Sequence, residues 1–279
     1  MTLRVFTNQL IVIAGCQRSG TTLTGQILGA HEKCFLLDET DKFYVWFDAF
    51  VAGNKEHPQQ LNESICHAAG KYLDHRNQFR SIEDLSGYDI VLKAPNLSFH
   101  YHELSMIHPK PIIIYPVRDV RGVVASMLKF KKMNPRQTDF FSNNNFIEKN
   151  YPDELKLLKS TSVADHCKSA IIWKIKSMLY VKFEACGLNP FVFKYENLVH
   201  HQQQMCQKMA EHCGLEFAPN MLAYYRVLAG KGPGKTLRSR KIDDVSMSKW
   251  KNDLTPNQVK DVMAIAAAAN LHFSKALAH

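Results

Sequence analysis

The sequence lacks the features of a membrane-spanning or disulfide-stabilised protein. It has no apolar run long enough to cross a bilayer and no hydrophobic signal segment at Met1. Its seven cysteines are odd in number and form no C-x-x-C pair. We therefore expect reduced thiols and a cytoplasmic location.

The sequence also lacks internal repeats, a linker that would divide the chain, and a basic run interleaved with aromatic residues. The last absence argues against a nucleic-acid partner, although the formal net charge is +9 and the pI is about 9.1. The richest basic cluster, LKFKKMNPR at 128–136, is interpreted as a solvated helix end. With 279 residues, 46% of them hydrophobic, the chain can form the core of a single domain, residues 1–279.

Residues 9–31, QLIVIAGCQRSGTTLTGQILGAH, contain an apolar strand, a loop and the start of a helix. Such a turn binds anions, because backbone N–H groups and the positive end of the helix dipole converge on it. Gly15 and Gly20 have the spacing of a nucleoside-triphosphatase loop, but Thr21 stands where that loop has its lysine. The cation lies inside the loop instead, at Arg18. The pattern predicts a phosphate site that does not hold a magnesium-bound triphosphate.

This loop resembles the 5′-phosphosulfate-binding loop of sulfotransferases that use 3′-phosphoadenylyl sulfate (PAPS). The segment R-S-G-T-T-L is closer to the tyrosylprotein and bacterial sulfotransferases than to the cytosolic type, whose loop has lysine in place of arginine. The resemblance implies that the co-substrate is bound by the residues of this segment, namely Arg18, Ser19, Gly20, Thr21 and Thr22.

The chain departs from the Golgi members of the tyrosylprotein branch in two respects. Those members carry an N-terminal membrane anchor, which this sequence does not show. Their lumenal disulfide would align near Leu36 and Val91, and neither residue is cysteine. The departure favours a bacterial or otherwise cytoplasmic enzyme.

A second motif, IIIYPVRDVRGVVASML at 112–128, is again an apolar strand followed by a turn and a helix. It resembles the family's 3′-phosphate site, where an arginine at the strand end and a serine eight residues later bind the ribose phosphate. Arg118 and Ser126 have that interval. An arginine supplies a bidentate fork and a hydroxyl adds a short donor without charge, which suits a phosphate. Asp119 is interpreted as the N-cap of the helix that it begins.

The chain alternates between apolar strands and helices. We predict strands at 9–14, 88–93, 111–117 and 190–195, and helices at 20–30, 119–131, 163–186, 200–213 and 256–269. Strands this apolar indicate a parallel sheet that is covered on both faces. The fold class is therefore α/β, a P-loop-like parallel sheet with helices on both faces. Thr255 and Pro256 are expected to cap the last helix, and the polar stretch 134–152 reads as an exposed insertion.

The acceptor hydroxyl needs a general base. In tyrosylprotein sulfotransferases the catalytic glutamate lies 21 residues after the loop arginine, and the resemblance places Glu39 there. Two preceding leucines would favour its protonated form by desolvation. A solvated carboxylate beside Asp38 is the alternative interpretation, and Asp38 is itself the second candidate. His31 and His102 are candidates by chemistry, although His31 ends a helix and a dipole interaction explains it.

Lys93 ends the predicted strand in VLKAPN. Family members place a lysine at the matching strand end, where it meets the bridging oxygen and the sulfuryl group. Arg18 and Lys93 would together neutralise the charge that develops on the leaving phosphate. No metal is expected, because a sulfuryl group carries less charge than a phosphoryl group and the thirteen histidines are scattered.

The segment 229–251, AGKGPGKTLRSRKIDDVSMSKWK, resembles the late family segment that folds over the co-substrate. Its glycines allow close approach to phosphates, and its cations include Lys235, Arg238, Arg240 and Lys241. Counting back ten residues from Trp250, where the family has its lysine, gives Arg240, and we also assign Lys241 to co-substrate binding. Tyr195, in FKYENL, matches the tyrosine of the family's Y-E-D-L segment beside the co-substrate.

These motifs predict a PAPS-dependent sulfotransferase that releases adenosine 3′,5′-bisphosphate by in-line displacement. The predicted partners are the nucleotide co-substrate and a hydroxyl acceptor, with a homodimer left open. A tyrosine-containing peptide and a small-molecule or lipid alcohol or phenol are equally favoured as acceptor, and a glycan comes third. The aromatic segment 43–50 would form core or line an apolar acceptor pocket. The alternatives are a kinase of related fold and a non-catalytic nucleotide-binding protein.

Overall fold

A computed structural model describes residues 8–39, 41–51, 58–129, 141, 144–232 and 237–277. Its centre is a five-stranded sheet in the order β2-β3-β1-β4-β5, and every neighbouring pair is parallel. The strands are β1 (Leu10–Ile13), β2 (Cys34–Asp38), β3 (Asp89–Lys93), β4 (Ile112–Val117) and β5 (Pro190–Lys194).

Helices connect and cover these strands. In chain order they are α1 (Thr21–Gly29), α2 (Asp41–Val51), α3 (Pro58–Ala69), α4 (Tyr101–Ser105), α5 (Val120–Leu128), α6 (Asn145–Asn150), α7 (Pro152–Lys159), α8 (Asp165–Met178), α9 (Tyr180–Ala185), α10 (Tyr195–His200), α11 (Gln202–His212), α12 (Val245–Ser248), α13 (Trp250–Asp253) and α14 (Pro256–Ala276). Short 3₁₀ turns lie between several of them, including Pro95–Phe99 directly after β3.

The sheet is buried on both faces, which confirms the predicted α/β class. Every residue of β1 and β2 is buried, and so is nearly all of β4. Helix α1 packs against β2 and β3, while α5, α8 and α14 pack on one another. Because all five strands are parallel, their carboxyl ends lie at one edge of the sheet, where ligands bind in open α/β folds.

Two predictions about secondary structure are wrong, and one strand was missed. Helix 163–186 is divided into α8 and α9, and residue 195 begins a helix instead of closing a strand; strand β2 was not predicted. The stretch 134–152 is not simply an exposed insertion, because the buried side chains of Phe141 and Ile147 join the core. Residues 130–140 lie outside the described part of the chain, and with them most of the basic cluster at 128–136.

The predicted caps are confirmed. Asp119 accepts a hydrogen bond from the Arg121 backbone N–H at 2.8 Å and caps α5. Thr255 and Gln258 form a reciprocal capping box at the start of α14, with Pro256 in the first turn. All seven cysteines are free thiols. Within the described residues, no helix combines the length and the apolar character that crossing a membrane requires.

Candidate functional site

The loop between β1 and α1 has the backbone of an anion cradle. Gly15 and Gly20 have φ angles of 124° and 93°, and Arg18 has a φ of 70°, a left-handed conformation that is uncommon for a residue with a side chain. A Cβ atom at Gly20 would lie 2.4 Å from the ring of Tyr195, so only glycine fits there. The loop therefore brings backbone N–H groups to the start of α1, where the first helical N–H groups have no intrahelical acceptor.

The five loop residues predicted to bind the co-substrate differ in how accessible their side chains and backbone N–H groups are. The Ser19 side chain is fully buried, and its backbone N–H donates to the Cys16 carbonyl at 3.2 Å. Thr21 is nearly buried, whereas Thr22 is partly exposed. The N–H groups at the helix start, from Gly20 to Thr22, are thus better placed for an anion than the N–H of Ser19.

Two arginines from the two phosphate motifs meet beside this loop. Arg18 Nε donates to Ser126 Oγ at 2.8 Å, and Arg118 Nη1 donates to the carbonyl oxygen of Arg18 at 3.1 Å. Burial lowers the pKa of Arg18, and so does the positive charge of Arg118. Two guanidinium groups in such proximity repel each other, so an anion between them would be stabilised.

Arg118 is oriented by a later part of the chain. Its guanidinium lies over the ring of Tyr195 at 4.6 Å, and its Nη2 donates to the carbonyl oxygen of Ser246 at 2.5 Å. The hydroxyl of Tyr195 is 2.9 Å from Ser246 Oγ. Trp173 Nε1 donates to the carbonyl oxygen of Arg118 at 2.9 Å. The structure therefore brings Arg18, Arg118, Ser126 and Tyr195 together, as one group that we call the arginine cluster.

A cavity of about 290 Å³ borders the arginine cluster where β4 and β5 end. Its wall combines apolar side chains with polar ones, among them Val117, Trp173, Lys194, Glu196 and Phe273. Burial raises the pKa of Glu196, one of whose oxygens accepts the Asp119 backbone N–H at 3.1 Å. This hydrogen bond fixes the turn that presents Arg118.

A second polar group lies at the ends of β2 and β3. Lys93 Nζ is 2.7 Å from Glu39 Oε1 and 3.4 Å from Asp38 Oδ1, and the lysine is fully buried. The parallel register pairs Asp38 with Lys93, and the Glu39 backbone N–H donates to the Lys93 carbonyl at 2.9 Å. Gly25 leaves room for the lysine, because a Cβ there would lie 3.2 Å from Lys93 Cβ and Cγ.

Glu39 is ion-paired and also accessible. Its Oε1 lies 2.7 Å from the ammonium group of Lys93. The side chain is still 23% exposed, so an acceptor can approach it. Glu39 and Lys93, two of the three predicted catalytic residues, are therefore in direct contact.

Two further side chains in this group were not assigned from the sequence. The hydroxyl of Tyr44, on α2, donates to Glu39 Oε2 at 2.9 Å. Arg238 is almost completely buried and forms a hydrogen-bonded ion pair with Asp38 through Nη2. Sequence reasoning named Arg238 among four cations of its segment without separating it from the rest. No pattern in the segment marked it, since the apolar neighbour Leu237 is exposed while Arg238 is buried.

The two cations that were chosen from that segment have partners outside both groups. Arg240 is exposed and pairs with Asp243, and Lys241 Nζ lies 5.1 Å from the centre of the Tyr225 ring. Their roles remain predictions, and Lys235 lies outside the described residues.

Lys176, on α8, is a buried cation that sequence reasoning missed. Its Nζ donates to Gln17 Oε1 at 2.8 Å and to Asn96 Oδ1 at 3.0 Å, which ties the phosphate loop to the turn after β3. Burial lowers the pKa of Lys176 to about 8. A lysine on the apolar face of AIIWKIK was the signal, since charged residues are rarely buried without a specific partner.

The two histidines considered as alternative bases are not part of this arrangement. The ring of His31 contacts the Glu216 carbonyl oxygen and the Lys33 backbone N–H, and His102 is exposed on α4. Phe43 and Phe47, within the aromatic segment 43–50, are buried core. One trio of potential metal ligands, His166, Cys167 and Asp261, includes none of the predicted site residues.

Comparison with known proteins shows a family model and solved structures that are similar to this chain. A model described as "Sulfotransferase family" matches residues 10–219. Among solved structures, the sulfotransferase domain from the curacin biosynthetic pathway has a TM-score of 0.59 at 16% identity, over 96% of this chain and 98% of that one. The sulfotransferase domain from the Synechococcus PCC 7002 olefin synthase has a TM-score of 0.57 at 15% identity, over 94% and 95%. No curated protein matches the chain. The structural likenesses support the fold.

Proposed function

The chain belongs to the sulfotransferase family, and from its site we propose that it transfers a sulfuryl group from PAPS to an acceptor hydroxyl. The observation that carries this proposal is the contact between Lys93 and Glu39, a cation and a base 2.7 Å apart. Both lie at the strand edge that also presents the phosphate loop. The proposal takes residues 1–279 as one domain and, in keeping with the seven free thiols, a cytoplasmic enzyme.

The phosphate groups of the co-substrate are assigned to the loop and the arginine cluster. The N–H groups at the start of α1, together with Arg18, suit the 5′-phosphosulfate, and Arg118 with Ser126 suits the 3′-phosphate. The glycine cradle at Gly20 and the absence of a loop lysine support this donor set. Because Arg18 already contacts Ser126, it lies between the two phosphate sites. Ser19, Thr21, Thr22 and Tyr195 complete the proposed co-substrate contacts, together with Arg240 and Lys241 from the late segment.

In the proposed reaction the acceptor oxygen attacks sulfur as the bond from sulfur to the 5′-phosphate oxygen breaks. Glu39 accepts the hydroxyl proton, and adenosine 3′,5′-bisphosphate leaves with the additional negative charge. Lys93 is central to the balance of charge, because its partner Glu39 becomes neutral while the leaving phosphate becomes more negative. Its ammonium group can then stabilise the leaving group instead of the carboxylate.

The acceptor is the least constrained part of the proposal. Burial of Phe43 and Phe47 removes two of the aromatic side chains that could have lined an apolar pocket. The net charge of +9 would attract a peptide rich in Asp and Glu. We therefore place an acidic, tyrosine-containing peptide before a phenol or a long-chain alcohol.

Labelled PAPS tests the proposal against those three probe acceptors. We expect transfer of label to at least one of them without added metal, with release of adenosine 3′,5′-bisphosphate. If the peptide reacts, its rate should fall steeply with added salt, because ions screen long-range attraction. A salt-independent peptide rate would contradict the electrostatic argument. Failure to transfer or to bind the nucleotide would contradict the proposed function.

A further inference from the structure

Both carboxylate oxygens of Glu39 are held, and they are held by different elements. Lys93, at the end of β3, donates to Oε1 at 2.7 Å, and Tyr44, on α2, donates to Oε2 at 2.9 Å. A carboxylate offers about four lone-pair positions. Two therefore remain for the acceptor hydroxyl, in an orientation that the two donors fix.

The surroundings of Tyr44 keep its hydroxyl a neutral donor. Burial raises the pKa of Tyr44 well above its ordinary value, and the negative charge of Glu39 raises it further. A hydrogen bond with the backbone of Asn96 opposes this shift. The ring is held by Phe43, whose centroid is 5.8 Å away, and the buried Phe43 and Phe47 anchor α2 in the core.

We propose that Tyr44 is a positioning residue for the base: it fixes the Glu39 carboxylate and keeps one oxygen from turning onto Lys93. Without the tyrosine hydroxyl, rotation of the carboxylate would let both oxygens contact the ammonium group, which leaves neither well placed for an acceptor. Donation from Tyr44 also stabilises the ionised carboxylate, the form that accepts a proton. This inference rests on the proposed function, since it assigns Tyr44 a role in sulfuryl transfer.

Tyr44→Phe removes only the hydroxyl and gives the first test. With PAPS and whichever probe acceptor reacts, we expect kcat to fall about tenfold, while the KM for PAPS stays unchanged. The acidic limb of the pH–rate profile should move to higher pH by about one unit, because a tenfold change in rate and a shift of one pH unit correspond to the same free energy. Tyr101→Phe is the matched control, because within the described residues the Tyr101 hydroxyl makes no hydrogen bond.

Two further variants separate positioning from a general effect on folding. In the double variant Glu39→Gln/Tyr44→Phe, kcat should equal that of Glu39→Gln alone, because Tyr44 acts through the carboxylate. Replacing Tyr44 by 3-fluorotyrosine keeps the shape but makes the hydroxyl a stronger donor, so the acidic limb should move to lower pH.

The outcomes are distinguishable. If the wild type turns over PAPS but Tyr44→Phe matches Tyr101→Phe in kcat and pH profile, the positioning role is wrong and the proposed function stands. A further loss of rate in the double variant would indicate a structural role and would also overturn the inference. If the wild type neither binds nor turns over PAPS, the proposed function fails and this inference fails with it.

Discussion

Replacement of Arg118 by alanine should separate two nucleotides that differ only in one phosphate. We expect weaker binding of adenosine 3′,5′-bisphosphate and nearly unchanged binding of adenosine 5′-phosphate, because the proposed contact of Arg118 is with the 3′-phosphate alone. Isothermal titration of both nucleotides without metal measures the difference.

The magnitude follows from the present partners of Arg118. Its Nη1 and Nη2 donate to two neutral carbonyl oxygens, those of Arg18 and Ser246. Exchange of neutral acceptors for a charged phosphate gains about 1 kcal/mol for each bond, the difference between typical charge-assisted and neutral hydrogen bonds. Two bonds give about 2 kcal/mol, or an affinity loss of about 30-fold in the alanine variant.

Arg121→Ala provides the matched control for this measurement. Arg121 lies three residues further along the chain, in the first turn of α5. Its guanidinium pairs with Asp119 and lies over Trp250, so its loss should leave both nucleotide affinities unchanged. Thermal unfolding without nucleotide checks that each variant folds. Equal weakening of both nucleotides by Arg118→Ala would refute its assignment to the 3′-phosphate.

Three other changes test separate parts of the site. Glu39→Gln should lower kcat on the order of 100-fold with nucleotide affinity nearly unchanged, and an unchanged kcat in steady-state assays would place the base elsewhere. Asp38→Asn should lower the free energy of unfolding by about 3 to 5 kcal/mol, because it leaves the buried cations of Lys93 and Arg238 without their shared carboxylate; an unaltered melting temperature would contradict this. Burial lowers the pKa of Lys176 from its ordinary value of 10.5 to about 8 in the folded protein. Between these two pH values the unfolded chain therefore binds a proton that the folded protein has released. Stability of the wild type should therefore rise with pH across that window, by about 3 kcal/mol relative to Lys176→Met, and parallel pH curves in denaturant titrations would count against it.

The sequence predicted those parts of the site that local patterns encode. Apolar runs such as LIVI and IIIYPV identified β1 and β4, and the turns after them contained Arg18 and Arg118. Strand β2 was missed because its apolar run, CFLL, is short and lies between charged segments. Its position nevertheless determines where Asp38 and Glu39 meet Lys93.

Long-range contacts could not be predicted from the same patterns. Arg238 reaches Asp38 across 200 residues of sequence. The contact of Arg18 with Ser126 also joins two motifs that the sequence assigned to different phosphates. Such contacts depend on how strands are ordered in the sheet, which no single segment specifies.

Nucleotide binding without metal tests the central claim most directly. A thermal-shift series compares adenosine 3′,5′-bisphosphate with ATP, each with and without magnesium. A PAPS-dependent sulfotransferase should be stabilised by the bisphosphate without magnesium, because Arg118, Arg18 and the N–H groups of the loop supply the positive charge. Stabilisation by ATP only in the presence of magnesium, with no response to the bisphosphate, would contradict the proposed co-substrate.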